Sequence, residues 1–345
     1  AGGGSMTRAA VIGSGAWGTT FAQVLADAGC DVAVWGHDDA LCRRMNATHV
    51  NDAHLPGVLL PEIIRASSDA ADVLAGADLV AVAVPVQVAR EALAPMAAAV
   101  PPGVPVVSLM KGVELATDVL ASRMLAQALA LPDERVAVLS GPNLAKEIAA
   151  RQPTATVIAS VSDDTATLVA RTVQTAYFRP YTSSDVVGVE LCGAVKNVIA
   201  IAVGIAQGRG LGYNTTATLV TRGLAEIRRL GLRLGADGET FAGLAGAGDL
   251  MATCASPLSR NHSLGVLLGQ GAGLDEAITR TEGTAEGVKT SRAVAELAAT
   301  LEVDMPITDA VAKVLFEGLP VDDLAPMLLG RPMKAEAADV PLDAS

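Results

Sequence analysis

The sequence predicts an α/β fold, with an N-terminal, mostly parallel sheet followed by a C-terminal domain built only of helices. Three observations lead there. From Thr7 to Thr182 short β-type runs alternate with Ala-rich helical segments, which is the pattern of βαβ units. After Ser183 apolar residues recur at helical spacing, with no β-branched strand between them. Of 345 residues 51% are hydrophobic but only 3% aromatic, and 34 are glycine, which suits closely packed helices and glycine-dependent turns better than an aromatic-rich β-sandwich.

The length permits two domains, at roughly 100–200 residues each. We place them at residues 6–184 and 185–330, followed by a polar tail at 331–345. Residues 1–5, ahead of Met6, have no basic or apolar region and read as a cloning scar. The 25 basic against 37 acidic side chains give a formal charge of −12, which argues against nucleic acid as a partner. Four scattered cysteines form no CxxC and no cluster with histidine, so no metal site is expected and a reducing, cytoplasmic setting fits best. The most apolar stretches, Leu79–Val84 and Val198–Ala206, fall well short of the roughly 20 residues that span a bilayer, so no membrane span is expected.

The expected strands are 9–12, 31–35, 63–66, 79–84, 106–109, 136–140, 156–160 and 178–182. The first runs into Gly13-Ser14-Gly15-Ala16-Trp17-Gly18, a G-x-G-x-x-G that opens a helix reaching about Ala28. This is the Rossmann-type dinucleotide fingerprint in its required context: Gly13 for the tight turn, Gly15 for close approach of a pyrophosphate, Gly18 for helix–strand packing. After the second strand comes Gly36-His37-Asp38. His37 with Arg43 and Arg44 could meet the 2′-phosphate of NADP, whereas Asp38 and Asp39 could oppose it or bind the 2′-hydroxyl of NAD. Use of both cofactors with NADPH preferred is the expectation.

Lys111 follows the strand at 106–109 at its carboxyl end, where open α/β sheets bind ligands, and could reach an anionic substrate. Ser140-Gly141-Pro142-Asn143 leaves another strand end and starts a helix at Leu144–Ala150, so its backbone N–H groups and the Asn143 amide would line the same crevice. Lys196 and Asn197 lie within a strongly apolar helical run, 186–207. A lysine there needs a function or a partner. Desolvation favours the neutral amine, able to exchange a proton with a reacting oxygen, and the alternative is a structural pair with a carboxylate such as Glu190. Asp249 follows a loop with three glycines, Gly243, Gly246 and Gly248, where it could orient Lys196 or a substrate hydroxyl. Ser259-Arg260-Asn261 precedes an apolar helix, bringing hydroxyl, guanidinium, amide and helix N-terminus together in a form suited to phosphate. Further helices are expected over 216–230, 291–300 and 308–316.

The ordered motifs GSGAWGTTFA, VWGHD, SLMKG, SGPNLAKEIA, ELCGAVKNVIAIAVGIAQG, Gly243–Thr253, SRN and AEGVKT resemble those of the bacterial-type NAD(P)-dependent glycerol-3-phosphate dehydrogenases, from Met6 to about Leu329. The resemblance implies NAD(P)H-dependent interconversion of dihydroxyacetone phosphate and sn-glycerol 3-phosphate, supplying phospholipid backbones. It also implies that Ala16, Trp17, His37, Ala145 and Glu286 contact cofactor and that Lys111 and Arg260 contact both ligands. Gly141, Asn143, Asp249, Ser259 and Asn261 would bind substrate, and Lys196 would bind it and exchange the proton. Asn143 departs from the usual Ser or Thr, and Thr284 from an aliphatic residue that faces the cofactor. Two rival readings are a different dehydrogenase with a helical second domain and a catalytic lysine, and a nucleotide-sensing module without chemistry. The motifs leave a homodimer open.

Overall fold

The computed structural model describes residues 6–114, 117, 119–281 and 286–332. Among the described residues ten strands form in chain order: β1 Arg8–Ile12, β2 Asp31–Trp35, β3 Ile64–Ser67, β4 Leu79–Val82, β5 Val106–Ser108, β6 Val113–Glu114, β7 Val119–Leu120, β8 Val136–Ser140, β9 Thr154–Ala159 and β10 Phe178–Ser183. Eight build one sheet in the order β10-β9-β8-β5-β4-β1-β2-β3, and β6 pairs with β7 in a small hairpin that was not expected. The 3-2-1-4-5 half is parallel and continues in parallel to β8, while β9 runs antiparallel to β8 and β10 parallel to β9.

Alternate residues of the strands go to opposite faces, and both faces are covered. Ala9, Val11, Val32, Val34, Ala81, Val107 and Leu139 pack with Phe21 and Leu25 of helix Ala16–Asp27 and Val169 of helix Asp163–Val173. Ala10, Ile12, Ala33, Val80, Val82 and Val106 pack with Val73, Leu93, Met124 and Leu125 on the other side. This two-sided burial explains why these strands read as short unbroken apolar runs.

The described chain divides into two compact units: residues up to Ala194 together with Glu239–Ala252, and Val195–Gly238 together with the residues from Thr253 on. The division by compactness falls inside helix Val186–Gly208. Glu239–Ala252 joins the first unit because Asp249 pairs with Lys111 and Ala245 packs with Val138, Ala159 and Val189. Helix Val186–Gly208 is longer than its apolar core suggested, and by length and composition it could cross a membrane, yet most of it is buried within the protein.

Among the described residues of the second unit all regular elements are helices, including Tyr213–Arg233, Arg260–Gly269, Glu286–Thr300 and Pro306–Phe316, plus the short Leu274–Arg280 and Leu324–Leu329, which sequence reading passed over. The carboxylate of Glu226 accepts the Ile307 N–H at 2.6 Å and the N–H and hydroxyl of Thr308 at 3.1 Å each, closing the otherwise unsatisfied start of helix Pro306–Phe316. Burial pushes the Glu226 carboxyl up to about 7 against these three donors. Arg331, the first residue of the expected tail, is held by Asp304 at 2.6 Å; residues 333–345 and the expected scar at 1–5 lie outside the described residues.

Helices Val186–Gly208 and Arg260–Gly269 meet backbone to backbone. Each carries glycines four apart, Gly204 and Gly208 on one, Gly265 and Gly269 on the other. A Cβ on Gly204 would lie 2.2 Å from the His262 carbonyl oxygen, and one on Gly265 would lie 2.2 Å from that of Ile201. His262 Nε2 and Gln207 Oε1, 2.8 Å apart, add a polar contact between the same helices. Gly265→Ala should therefore lower unfolding stability by at least about 1–3 kcal/mol, the range for overpacking. Gly212→Ala, where a Cβ meets open space at φ −87°, should stay within about 0.5 kcal/mol. Denaturant unfolding of the two variants gives the comparison, and equal stabilities would refute the close-approach argument.

Candidate active site

In the first unit the fingerprint turn is built as its glycines suggest. Gly13 adopts φ +120°, and a Cβ there would come within 2.7 Å of the Ala83 carbonyl oxygen; one on Gly18 would lie 2.0 Å from that of Gly13. Gly15, at the N-cap of helix Ala16–Asp27, is different: nothing lies within 4 Å of where its Cβ would be. Packing accounts for Gly13 and Gly18. Gly15 leaves open space against the helix N-terminus, which is what an approaching pyrophosphate requires.

The loop is braced by Asn51, fully buried, whose Nδ2 donates to the Ser14 carbonyl at 2.7 Å and to Thr19 Oγ1 at 2.8 Å. Trp17 packs on Phe21 with ring centroids 5.8 Å apart, and its indole N–H is buried without a hydrogen-bond partner among the described residues. Thr20 Oγ1 donates to the Ala145 carbonyl at 3.3 Å, so Ala145 and the helix Ala145–Ala149 lie beside the fingerprint helix. These features fit a bound dinucleotide: an open glycine cradle, a helix N-terminus and an orphaned indole donor.

His37 is exposed at the end of β2. Asp38 caps the helix Asp39–Thr48, accepting the Leu41 N–H at 3.1 Å, and that bond holds its carboxyl below the usual range. Arg43 is paired with Asp39, and Arg44 with Asp52 at 3.4 Å. Both arginines expected beside a 2′-phosphate thus hold acidic partners.

Lys111, past the end of β5, is largely buried and donates from Nζ to Asp249 Oδ2 at 2.7 Å and to the Gly141 carbonyl at 3.1 Å. Asp249, buried at the start of helix Asp249–Ala255, is thus a partner of Lys111. Asp185 helps to place its loop by accepting from Thr240 Oγ1 at 2.5 Å. Gly193 lies against this cluster, where a Cβ would be 2.7 Å from Ser140 Oγ. Asn143 donates from Nδ2 to Thr156 Oγ1 at 3.0 Å. Glu190, the structural partner considered for Lys196, is bound by the N–H of Ser122 at 2.7 Å and by its hydroxyl. Burial pushes its carboxyl up to about 7 against those two donors.

In the second unit Lys196 is 7% exposed and donates from Nζ to Thr253 Oγ1 at 2.8 Å. Ser259 caps helix Arg260–Gly269 by accepting the His262 N–H at 3.3 Å, so the helix starts at Arg260, ahead of Leu264. Arg260 is exposed in its first turn, and Ser259 and Asn261 are buried. Asn261 Oδ1 accepts the Gly287 N–H at 2.9 Å, bringing Asn261 to the start of helix Glu286–Thr300 and beside Glu286 in sequence. The amide of Asn261 keeps its NH2 for other partners. Thr284 lies outside the described residues.

The family model described as the NAD-dependent glycerol-3-phosphate dehydrogenase N-terminus matches residues 8–166, and the model of the C-terminus matches residues 185–326. The chain belongs to this family. It is 54% identical over 311 residues to the glycerol-3-phosphate dehydrogenase [NAD(P)+] of Streptomyces griseus, covering 90% of this chain and 93% of that one. Identity to the protein of the same name from Thermobifida fusca is 51% over 332 residues, covering 96% and 99%. The crystal structure of glycerol-3-phosphate dehydrogenase from Coxiella burnetii superposes with a TM-score of 0.89 at 36% identity, over 94% of this chain and 99% of that chain. Family membership accounts for the order of the motifs. Sequence reading missed Asn51, Thr156 and Thr253, because each acts by holding another residue; Thr253, a hydroxyl four residues after Asp249, was the most legible of the three.

Proposed function

We propose that this chain catalyses the NAD(P)H-dependent, reversible reduction of dihydroxyacetone phosphate to sn-glycerol 3-phosphate, a product that feeds glycerophospholipid synthesis. The observation that carries the reading is a buried lysine, Lys196, held by a hydroxyl, in a chain with a complete dinucleotide turn. Ketone reduction needs a hydride on carbon and a proton on oxygen. When bound, the nicotinamide cofactor supplies the hydride.

Gly13, Gly15 and Gly18 shape the turn that holds the pyrophosphate, with Ala16, Trp17, His37, Ala145, Thr284 and Glu286 as further cofactor contacts. Lys196 exchanges the proton with the reacting oxygen and binds substrate, and Thr253 fixes its ammonium. Lys111, anchored by Asp249 and the Gly141 carbonyl, presents positive charge to both ligands. Gly141, Asn143, Asp249, Ser259 and Asn261 bind substrate, and Arg260 meets phosphate and cofactor. An absorbance assay of NADPH oxidation with dihydroxyacetone phosphate tests the activity directly, and absence of turnover would exclude it.

Lys196→Ala should lower kcat by about 10²–10⁴-fold, the size of a proton-transfer contribution, with little change in cofactor affinity. Retention of more than about a third of wild-type kcat at neutral pH would refute the assignment.

Both cofactors should serve, with NADPH preferred. His37 is exposed, the Asp38 carboxylate is occupied as a cap, and Arg43 neutralises Asp39, so no unengaged acid among the described residues at the end of β2 opposes a 2′-phosphate. The ratio of kcat/KM for the two cofactors measures this, and a tenfold preference for NADH, worth about 1.4 kcal/mol, would reverse it.

Arg260 at a helix N-terminus should grip the dianionic phosphate. Arg260→Ala should reduce kcat/KM for dihydroxyacetone phosphate by about 10–200-fold while barely changing the poor reaction of unphosphorylated dihydroxyacetone. An unchanged ratio between the two substrates would place the phosphate elsewhere, with Lys111 the next candidate.

A further inference from the structure

Asn143 stands where the family resemblance leads one to expect Ser or Thr, and the structure ties this departure to a second residue. Thr156, on β9, is fully buried. Its hydroxyl donates its single proton to the Ser140 carbonyl oxygen at 3.1 Å. Toward Asn143 it can then only accept, and it accepts from Nδ2 at 3.0 Å. This order of donors fixes which way the amide faces: the NH2 group turns to Thr156, and the carbonyl oxygen Oδ1 turns away. Asn143 Oδ1 is buried and has no hydrogen-bond partner among the described residues. A buried acceptor without a donor is costly, and such an acceptor suits a ligand that donates.

The chemistry of the substrate narrows the choice. At neutral pH the phosphate oxygens and the ketone oxygen of dihydroxyacetone phosphate only accept, and its one donor is the terminal hydroxyl. We propose that Thr156 is a positioning residue that orients the Asn143 amide so that Oδ1 accepts a hydrogen bond from the terminal hydroxyl of the substrate, the end opposite the phosphate. The proposal rests on the dihydroxyacetone phosphate reading above. The two ends of the substrate are then read by different groups, the hydroxyl by the Asn143–Thr156 pair and the phosphate by the cations. Gly141 keeps the pair close, since a Cβ there would come within 3.3 Å of Thr156 Oγ1.

The test compares dihydroxyacetone phosphate with acetol phosphate, which keeps ketone and phosphate but lacks the hydroxyl. Thr156→Val and Asn143→Ala should each lower kcat/KM for dihydroxyacetone phosphate roughly tenfold, mainly through KM, while leaving that for acetol phosphate within about twofold of wild type. Thr156→Ser, which keeps the hydroxyl, should restore the wild-type ratio. Equal losses for both substrates, or no rescue by serine, would show that Thr156 only supports the fold and would overturn the proposal. Should Thr156→Val fail to fold, Asn143→Ala with Thr156 intact carries the same comparison. A wild-type protein inactive on dihydroxyacetone phosphate but active on another ketone would instead refute the activity reading.

Discussion

Close approach of backbone to backbone, possible only where side chains vanish, is the constraint on which the second unit rests. Gly204 and Gly208 of one helix face Gly265 and Gly269 of another so closely that any Cβ would sit inside a carbonyl oxygen. The part of helix Val186–Gly208 from Val195 on, which carries Lys196, is thereby fixed within that unit against the helix whose first turn carries Arg260. Side-chain packing alone would leave the helices the usual separation of roughly 8–10 Å and free to adjust. Glycine contacts allow little slack, which is useful where functional groups must be held within a fraction of an ångström.

Lys111 in the first unit and Lys196 in the second are each held by named partners. Lys111 is tied to a buried carboxylate and a carbonyl oxygen, an arrangement that suits a fixed positive charge facing an anion. Lys196 donates to the hydroxyl of Thr253. In each case buried or partly buried donors are held by acceptors from distant segments of the chain. Buried carboxylates follow a similar rule: Glu226 and Glu190 each gather backbone and hydroxyl donors at the start of a helix, so that their burial is offset by bonds the helix end would otherwise lack.

The sequence alone determined the fold class, the parallel sheet with its Gly13–Gly18 turn, the helical second half and the identities of the candidate site residues, because these follow from local periodicity and from motifs a few residues long. It did not yield the hairpin of β6 and β7, the two short helices, or the pairing of Asp249 with Lys111, 138 residues apart. Nor could it reveal that Glu239–Ala252 joins the first unit, or that Asn51, Thr156 and Thr253 hold the loop, the amide and the lysine in place. Those residues work through contacts between segments distant in the chain, and no local pattern marks them. Which polar group meets which is set only when the folded chain brings donors and acceptors together and burial forces each to find a partner.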